Sequence, residues 1–480
     1  MKNKLITIFF LLLFTKTIEG TLAEEQKKTL ETTLKKIKKN KDEKLQIEAK
    51  QKIESENTIK QNIKFSGFIK LAAYDDTRQV YGARDDYFLL YPEKKELLCG
   101  LDKNAKAQGY ITPIESRLRV DIDGPKIWEL GLNGVIEGDF FGTNEENIYT
   151  PRMRLAYLNI RGKQFSILAG QEYHPLTPLK IIPETVSFNS GCPMEPFARS
   201  PQLRFTLHFP KINAFLCLLS QSPGEVTPGF EGCDCKYLRD AVVPNISLGA
   251  DTKIKDSTLG CCLDWKQIRP RLKSIDETKT VSEMFASTSF CAYTSIDIPK
   301  AIIKGKFTYG NNLPELSMLG GYAVQKISGC CSEENTIANR SFSYTGLRAI
   351  AIWNDNTLKI HKRIEPGLFW GYTKNIGAND DFIISYKDSN GVTTPLTFTL
   401  TNATQIDYVF RLSPRIKIKE KPVVFGGEIE WTRARYGTIK SITTSNSNNQ
   451  TVVATTDKGS LENLYSVNNI RFIATVSYNF

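Results

Sequence analysis

Leu464-Tyr-Ser-Val-Asn-Asn-Ile-Arg-Phe-Ile-Ala-Thr-Val-Ser-Tyr-Asn-Phe480 is the stretch whose periodicity decides the fold. Ile470, Phe472, Ala474, Val476, Tyr478 and Phe480 fall on one face at period two. Asn469, Arg471, Thr475, Ser477 and Asn479 fall on the other, with Ile473 the one apolar exception. Strand side chains alternate between faces, so this segment offers one side to an apolar medium and one to water. A closing strand of a lipid-embedded β-barrel needs that division and suits an aromatic last residue.

The same period recurs upstream. Ile63, Phe65, Ile69 and Leu71 alternate with Lys64, Ser66 and Lys70. Ile114, Leu118, Val120 and Ile122 alternate with Glu115, Arg117, Arg119 and Asp121. Carboxylates and guanidinium groups interleaved with aliphatics need water on one side, because an ordinary core does not accept them singly. Short links are expected near 124–127, 161–164, 209–211, 254–256, 298–300, 354–357 and within 413–421. They alternate with longer links near 77–110, 142–150, 172–199, 221–241, 267–281, 310–341, 374–404 and 438–463. Lipid-spanning barrels have this asymmetry of short turns on one side and long loops on the other. The expectation is an all-β, transmembrane antiparallel barrel over 63–480 with about sixteen strands, fourteen and eighteen remaining open. The Ser/Thr/Asn-rich segment 441–456 suits a loop tip.

The amino-terminal side fits export. Met1-Lys-Asn-Lys and the apolar run Leu5 to Phe14 read as a signal peptide over 1–23, with cleavage after Gly20 or Ala23. Residues 24–62 are rich in Lys and Glu, and Leu30, Leu34 and Ile37 give a short helical spacing, so a periplasmic charged helix or coiled coil is expected there. Beyond the signal no apolar run is long enough for a membrane helix. The net charge of +11 lies partly in these segments and otherwise along strands, which argues against nucleic acid as a partner. Cys99, Cys192, Cys233, Cys235, Cys330 and Cys331 fall in expected loops, where an oxidising compartment permits disulfides. Their spacing does not match zinc sites, and neither metal nor cofactor is expected.

A barrel of this size can hold an aqueous channel. The alternation directs Arg117, Arg119, Arg152, Arg154 and Arg204 to the lumen, a guanidinium wall that favours carboxylates. Glu137 and Asp139 are partners for that wall. The segment 172–199 differs from the other long links: it holds Pro175, Pro178, Pro183, Pro193 and Pro196 beside Leu176, Leu179, Ile181, Ile182 and Phe188. Such a stiff, apolar loop is expected to fold into the barrel and carry Glu184 and Glu195 toward the arginines. With Glu137 and Asp139 these make the acidic side of a constriction. His174, His208 and His361 belong to no nucleophile or metal motif, and no enzyme is expected.

Arg117-Leu-Arg-Val-Asp-Ile, Gly134-Val-Ile-Glu-Gly-Asp-Phe-Phe-Gly142, Arg152-Met-Arg-Leu-Ala-Tyr157, Leu168-Ala-Gly-Gln171 and Arg199-Ser-Pro-Gln-Leu-Arg-Phe205 resemble, in this order, the DcaP-like outer-membrane porins. The likeness covers residues 63–209. It implies a trimeric sixteen-stranded Gram-negative barrel with a periplasmic amino-terminal coil, passing small anionic solutes such as dicarboxylates. It also implies solute-facing roles for Arg117, Arg119, Arg152, Arg154 and Arg204. Expected partners are outer-membrane lipid, two further copies of the chain, the barrel-assembly machinery through the strand ending at Phe480, and peptidoglycan. The rival reading is a structural envelope barrel, cross-linked by loop disulfides and anchored to the cell wall by 24–62.

Overall fold

The computed structural model describes residues 62–480, apart from 224–225, 276, 329–340, 388–391 and 446–450. The expected signal peptide and residues 24–61 of the expected coil, with Cys330 and Cys331, lie outside the described residues. Sixteen antiparallel strands close into one barrel. In chain order they are β1 (Asn62–Asp76), β2 (Gln108–Thr112 and Arg117–Asp123), β3 (Gly131–Asp139), β4 (Arg152–Arg161), β5 (Phe165–Tyr173), β6 (Arg199–His208), β7 (Ile212–Leu219) and β8 (Asn245–Ile254). There follow β9 (Ser257–Ile268), β10 (Phe285–Ile298), β11 (Ala301–Asn311 and Gly321–Ser328), β12 (Ser341–Leu358), β13 (Ile364–Ala378), β14 (Ile406–Glu420), β15 (Val423–Ile439) and β16 (Leu461–Asn479).

The opening stretch is the closing strand. β16 pairs with β15 on one side and with β1 on the other, from Phe68↔Asn479 to Asp76↔Arg471. Gly67 and Phe480 exchange backbone hydrogen bonds at 3.0 and 3.1 Å, which completes the seam. A side chain at Gly67 would meet the Arg117 carbonyl at 2.2 Å, so the close approach of β2 requires glycine there. Ile470, Phe472, Val476 and Tyr478 are exposed outside, while Asn469, Arg471 and Ile473 are buried inside. The apolar exception has a partner, because Ile473 packs in the lumen with Val186 and Phe188 of the loop between β5 and β6.

Two strands are interrupted rather than continuous. β2 breaks at Pro113–Ser116, where Ser116 N–H donates to the Pro113 carbonyl. Proline cannot donate to the ladder, and Ile114, expected on the lipid face, turns inward to pack with Tyr87 and Phe141. β11 breaks at 312–320, and both of its halves pair with β12. The intervening residues Leu313, Leu316, Met318 and Leu319 are buried in the largest apolar cluster.

The turn expected at 354–357 is strand instead, and the chain turns at 359–363. Asn-Asp-Asn is turn chemistry only when solvated. Here Asp355 points inward to Arg415 at 2.5 Å, and Asn354 donates to the Lys304 carbonyl at 2.9 Å. His361, which follows the expected turn at 354–357, therefore lies in the observed one. Within the polar segment 441–456, Ser441–Ser445 and Thr451–Thr455 join Ile383–Lys387 and Thr393–Pro395 in a separate four-stranded sheet.

At the seam, Arg471 makes paired bonds to Asp76 at 2.6 and 2.9 Å and also donates to the Tyr87 and Asp86 carbonyls. Both side chains are almost fully buried. Asp76→Asn leaves the guanidinium without its counter-charge, so a loss of about 3 kcal/mol is expected. The check is urea unfolding of the refolded barrel in lipid vesicles; an unchanged midpoint would remove the seam pair as a determinant of closure.

Candidate functional site: the charged lumen and its inward loop

Alternation puts the five expected arginines on the inner face, and most of them are already occupied. Glu137 on β3 receives Arg154 at 2.7 Å, Arg119 at 3.4 Å and Arg117 at 3.6 Å. Asp139 receives Arg152 and Arg154, each at 2.8 Å. Arg154 also donates to the Tyr173 hydroxyl at 2.9 Å and is buried. A bulge between β3 and β4 lets Arg154 and Leu155 both turn inward, which brings Arg154 over both carboxylates. Arg119 additionally grips Asp121 at 2.8 Å, with its side chain about 31% exposed. Arg204 differs. It donates to Gln202 and to the Tyr173 carbonyl, each at 3.0 Å, and lies 5.4 Å from the Phe215 ring. Among the described residues it forms no ion pair. It opens instead on a cleft of about 290 Å³ shared with Glu172, Lys180, His208 and Asn213.

The loop between β5 and β6, residues 174–198, packs on the inner face of the wall. Leu176, Ile181, Cys192, Met194 and Glu195 are fully buried. Met194 and Leu176 join Trp353 and Phe369 of β12 and β13 in the main apolar cluster. Gly191 has φ +88, and a side chain there would meet the Phe369 ring at 2.9 Å, so the loop's close approach needs glycine. The break in β11 supports it, with Phe197 N–H donating to the Leu316 carbonyl at 2.9 Å.

The sequence led us to expect Glu184 and Glu195 beside the arginines of β2–β6, but they pair with lysines instead. The loop crosses the lumen, and its acids meet β11 and β14. Glu195 is bonded by Lys306 at 2.8 and 2.9 Å and by the Trp353 indole N–H at 2.7 Å. Glu184 faces Lys304 at 2.8 Å and Lys417 at 3.6 Å. Its backbone N–H donates to Asp355 at 3.0 Å. Farther along, Glu428 accepts the Val186 and Ser187 N–H groups, Glu430 accepts the Asn189 amide, and Arg411 donates to the Cys192 carbonyl. Sequence reasoning missed Lys304, Lys306, Asp355, Arg411, Arg415, Lys417, Glu428 and Glu430. Their signal was present: Glu428 and Glu430, like Arg411 and Arg415, sit at even spacing among apolar residues, as Arg117 and Arg119 do.

Burial raises the Glu184 carboxyl, but Lys304 and Lys417 outweigh it and hold the group at about 2. Burial pushes Glu195 above its ordinary value, opposed by Lys306 and the indole. His174 is driven down to about 3 by burial, with Lys266 and Arg204 adding to the effect; its Nδ1 accepts the Leu176 N–H at 3.1 Å. It is therefore a neutral structural residue at the loop's start. His208 is bonded by Asn213 and Ser166 at 2.8 and 3.0 Å. The expected loop disulfides do not form among Cys99, Cys192, Cys233 and Cys235, which are free thiols. Cys192 is sealed beneath the loop with its Sγ on the Glu195 carbonyl, whereas Cys99 and Cys233 sit exposed on separate hairpins. Among the described residues no cluster of metal-ligating side chains is present.

No protein-family model matches the chain, and no curated protein matches it by sequence. Solved structures do. The outer-membrane channel DcaP of Acinetobacter baumannii aligns with a TM-score of 0.58 at 16% identity, covering 88% of this chain and 97% of that one. The chain has the DcaP fold. An anion-selective porin from Comamonas acidovorans aligns at 0.49 and 8% identity over 88% of this chain and 100% of that one. The trimer form of Vibrio cholerae OmpT aligns at 0.48 and 10% identity over 88% and 99%. The resemblance read from residues 63–209 thus extends, as fold, over the whole barrel.

Lys306→Met strands a buried carboxylate, and about 3 kcal/mol of loop anchoring should be lost. Limited proteolysis of the folded barrel should then cleave within 174–198 where the parent chain resists; equal resistance would show that the apolar contacts alone hold the loop. For Glu184 the folded carboxyl is depressed from 4.5 to about 2. Its tether is fully present above the ordinary carboxylate value and is lost only as pH falls through about 2. The same proteolysis assay should therefore be flat from about pH 7 to pH 5; release of the loop in that window would contradict the assignment.

Proposed function

We propose that the protein is a DcaP-like outer-membrane porin, a passive channel for small hydrophilic solutes that favours anions, carboxylates above all. The observation that carries this reading is Arg204, an inward guanidinium that forms no ion pair among the described residues and opens on a cleft of about 290 Å³. Arg119, though paired with Asp121 and Glu137, keeps about 31% of its side chain exposed on the inner face and is the second candidate. Most other lumenal charges are cancelled in pairs, so these few set the local field. A solute carboxylate can pair with a guanidinium and leave again, which raises flux without trapping the solute. The loop 174–198, pinned across the lumen, is the constriction in this reading, and its exposed Glu184 gives the opposite charge. The three histidines are held in structural bonds or lie in a turn, which favours a channel over an enzyme.

By the same reading the short turns face the periplasm with segment 24–62, the long loops face outward, and the chain assembles as a homotrimer in outer-membrane lipid. The exposed strand ending at Phe480 is its signal for assembly machinery.

Single-channel recording in planar bilayers under asymmetric salt tests the function. Anion-leaning reversal potentials are expected. Arg204→Gln combined with Arg119→Gln should lower the anion-to-cation permeability ratio roughly two- to threefold. A cation-selective parent chain sinks the anion preference, an unchanged ratio removes these arginines, and no conductance at all overturns the porin reading.

A further inference from the structure

The outer surface of β12–β15 breaks the rule that the lipid-facing side is apolar. At the long-loop end, Lys374, Tyr408, Arg435 and Ser466 form one register row across β13–β16. The row below is Ile352, Tyr372, Phe410, Arg433 and Asn468, and below that come Trp370, Leu412, Trp431 and Ile470. All of these alternate with the inward residues Trp353, Thr373, Arg411 and Thr432, so they face away from the lumen. Tyr372 and Tyr408 stand 5.5 Å apart, and Phe410 meets Trp431 edge-on at 5.6 Å. Aromatic side chains gathered in this way mark the border between hydrocarbon and headgroups.

Arg348, Lys374, Arg433 and Arg435 lie at and just above that border. Asp407 is the single carboxylate among them, 2.5 Å from Arg435 and 3.4 Å from Lys374. Arg348 is bonded only to backbone carbonyls, the nearest that of Ala378 at 2.9 Å. Arg433 donates one Nη to Ser466 at 3.1 Å, and its Nε is enclosed with no acceptor. Asp457, on the same rim, is neutralised by Lys440 at 2.7 Å. Between Arg348, Lys374 and Arg435 lies a cavity of about 470 Å³ whose wall also includes Asp407, Asp457, Ile376, Leu461 and Leu464. A pore solute does not meet this cavity. Cations on the lipid face cost about 2–4 kcal/mol at mid-bilayer and almost nothing near the interface. Arg348, Lys374 and Arg435 line the cavity with Arg433 close by, against Asp407 and an Asp457 already paired with Lys440; this cationic excess, above an aromatic belt and beside an apolar wall, complements an anionic headgroup that carries acyl chains.

We propose that this cavity binds the phosphorylated headgroup of an outer-leaflet glycolipid, with Arg348, Lys374 and Arg435 as its phosphate donors and Arg433, one register row below Arg435, adding charge beside it. The site rests on the outer-membrane reading but not on conductance or ion selectivity.

The test uses the full purified chain in detergent, with native mass spectrometry of adducts formed with diphosphoryl lipid A, monophosphoryl lipid A, phosphatidylethanolamine and inorganic phosphate. The diphosphoryl form should be retained most. Arg348→Gln, Lys374→Gln, Arg433→Gln and Arg435→Gln together should weaken it roughly a hundredfold or more, since each charge near such a surface contributes about 1 kcal/mol. Lys253→Gln with Lys255→Gln, at the short-turn end, should leave it unchanged. Should the fourfold variant not fold, Lys374→Gln alone, at a side chain 36% exposed, should lower retention roughly fivefold. Equal retention of phosphatidylethanolamine, or unaltered lipid A binding in the variants, overturns the site. Displacement of lipid A by millimolar inorganic phosphate would make it a phosphate site and overturn the lipid assignment. Conductance in bilayers free of lipid A is read separately, so loss of the porin reading and loss of this site give different results.

Discussion

Lys306 and Glu195 form an ion pair from which water is wholly excluded, on the inner face of the barrel. Taking both charges out of water is costly, and the pair persists because every partner is in place. Lys306 also holds the Leu176 carbonyl, and Glu195 also takes the Trp353 indole. The pair therefore fixes two points of the loop 174–198 against β11 and β12 at once. From that anchorage follows the burial of Met194 and Ile181, the docking of Val186 and Phe188 on Ile473, and the seat for the inward break in β11. The lumen is a packed core on one side and an aqueous wall on the other because this contact holds.

That division changes what the charged residues can do. Glu137 and Asp139 each serve more than one arginine, so the β2–β4 wall is a network rather than a row of free guanidinium groups. Its members stiffen one another and add little net field. Across the lumen, Arg415 with Asp355 and Arg411 with Glu430 cancel in the same manner. In the proposed channel, selectivity would come from the residues left over. Arg204 is the leftover on the arginine side; on the loop side Glu184 is paired with Lys304 and Lys417, yet its side chain stays about half exposed.

The barrel was legible because period two is enforced by the medium: Phe472 and Ile470 have to face outward if Arg471 is to reach Asp76. The alternation of short and long links was legible for the same reason, and it placed nearly every turn. The failures came where a tertiary partner overrode local chemistry. Asn354-Asp355-Asn356 reads as a turn, yet Arg415, sixty residues away in sequence, keeps it in a strand. Ile114 reads as lipid-facing, yet Pro113 breaks the ladder beside it. The loop 174–198 was recognisable as inward from its prolines and aliphatics, but not the wall it would meet. Period two says which face a charge occupies and nothing about which of sixteen strands lies opposite.

Height along the strand carries information that the face pattern omits. Arg433 and Arg435 sit two residues apart on one face of β15, in the pattern that on β14 gives the inward Arg411. Reading period alone would assign such arginines to the lumen. Their true side follows from Trp431 and Phe425, which share their face and belong to the lipid, and from Glu428, Glu430 and Thr432, which alternate with them and are buried. An outward arginine is tolerable only where the hydrocarbon ends, and the aromatic pairs directly beneath locate that level. The strands of this barrel thus encode two axes at once: alternation separates water from lipid, and the point at which the outward face turns from aromatic to cationic marks where the lipid tails stop.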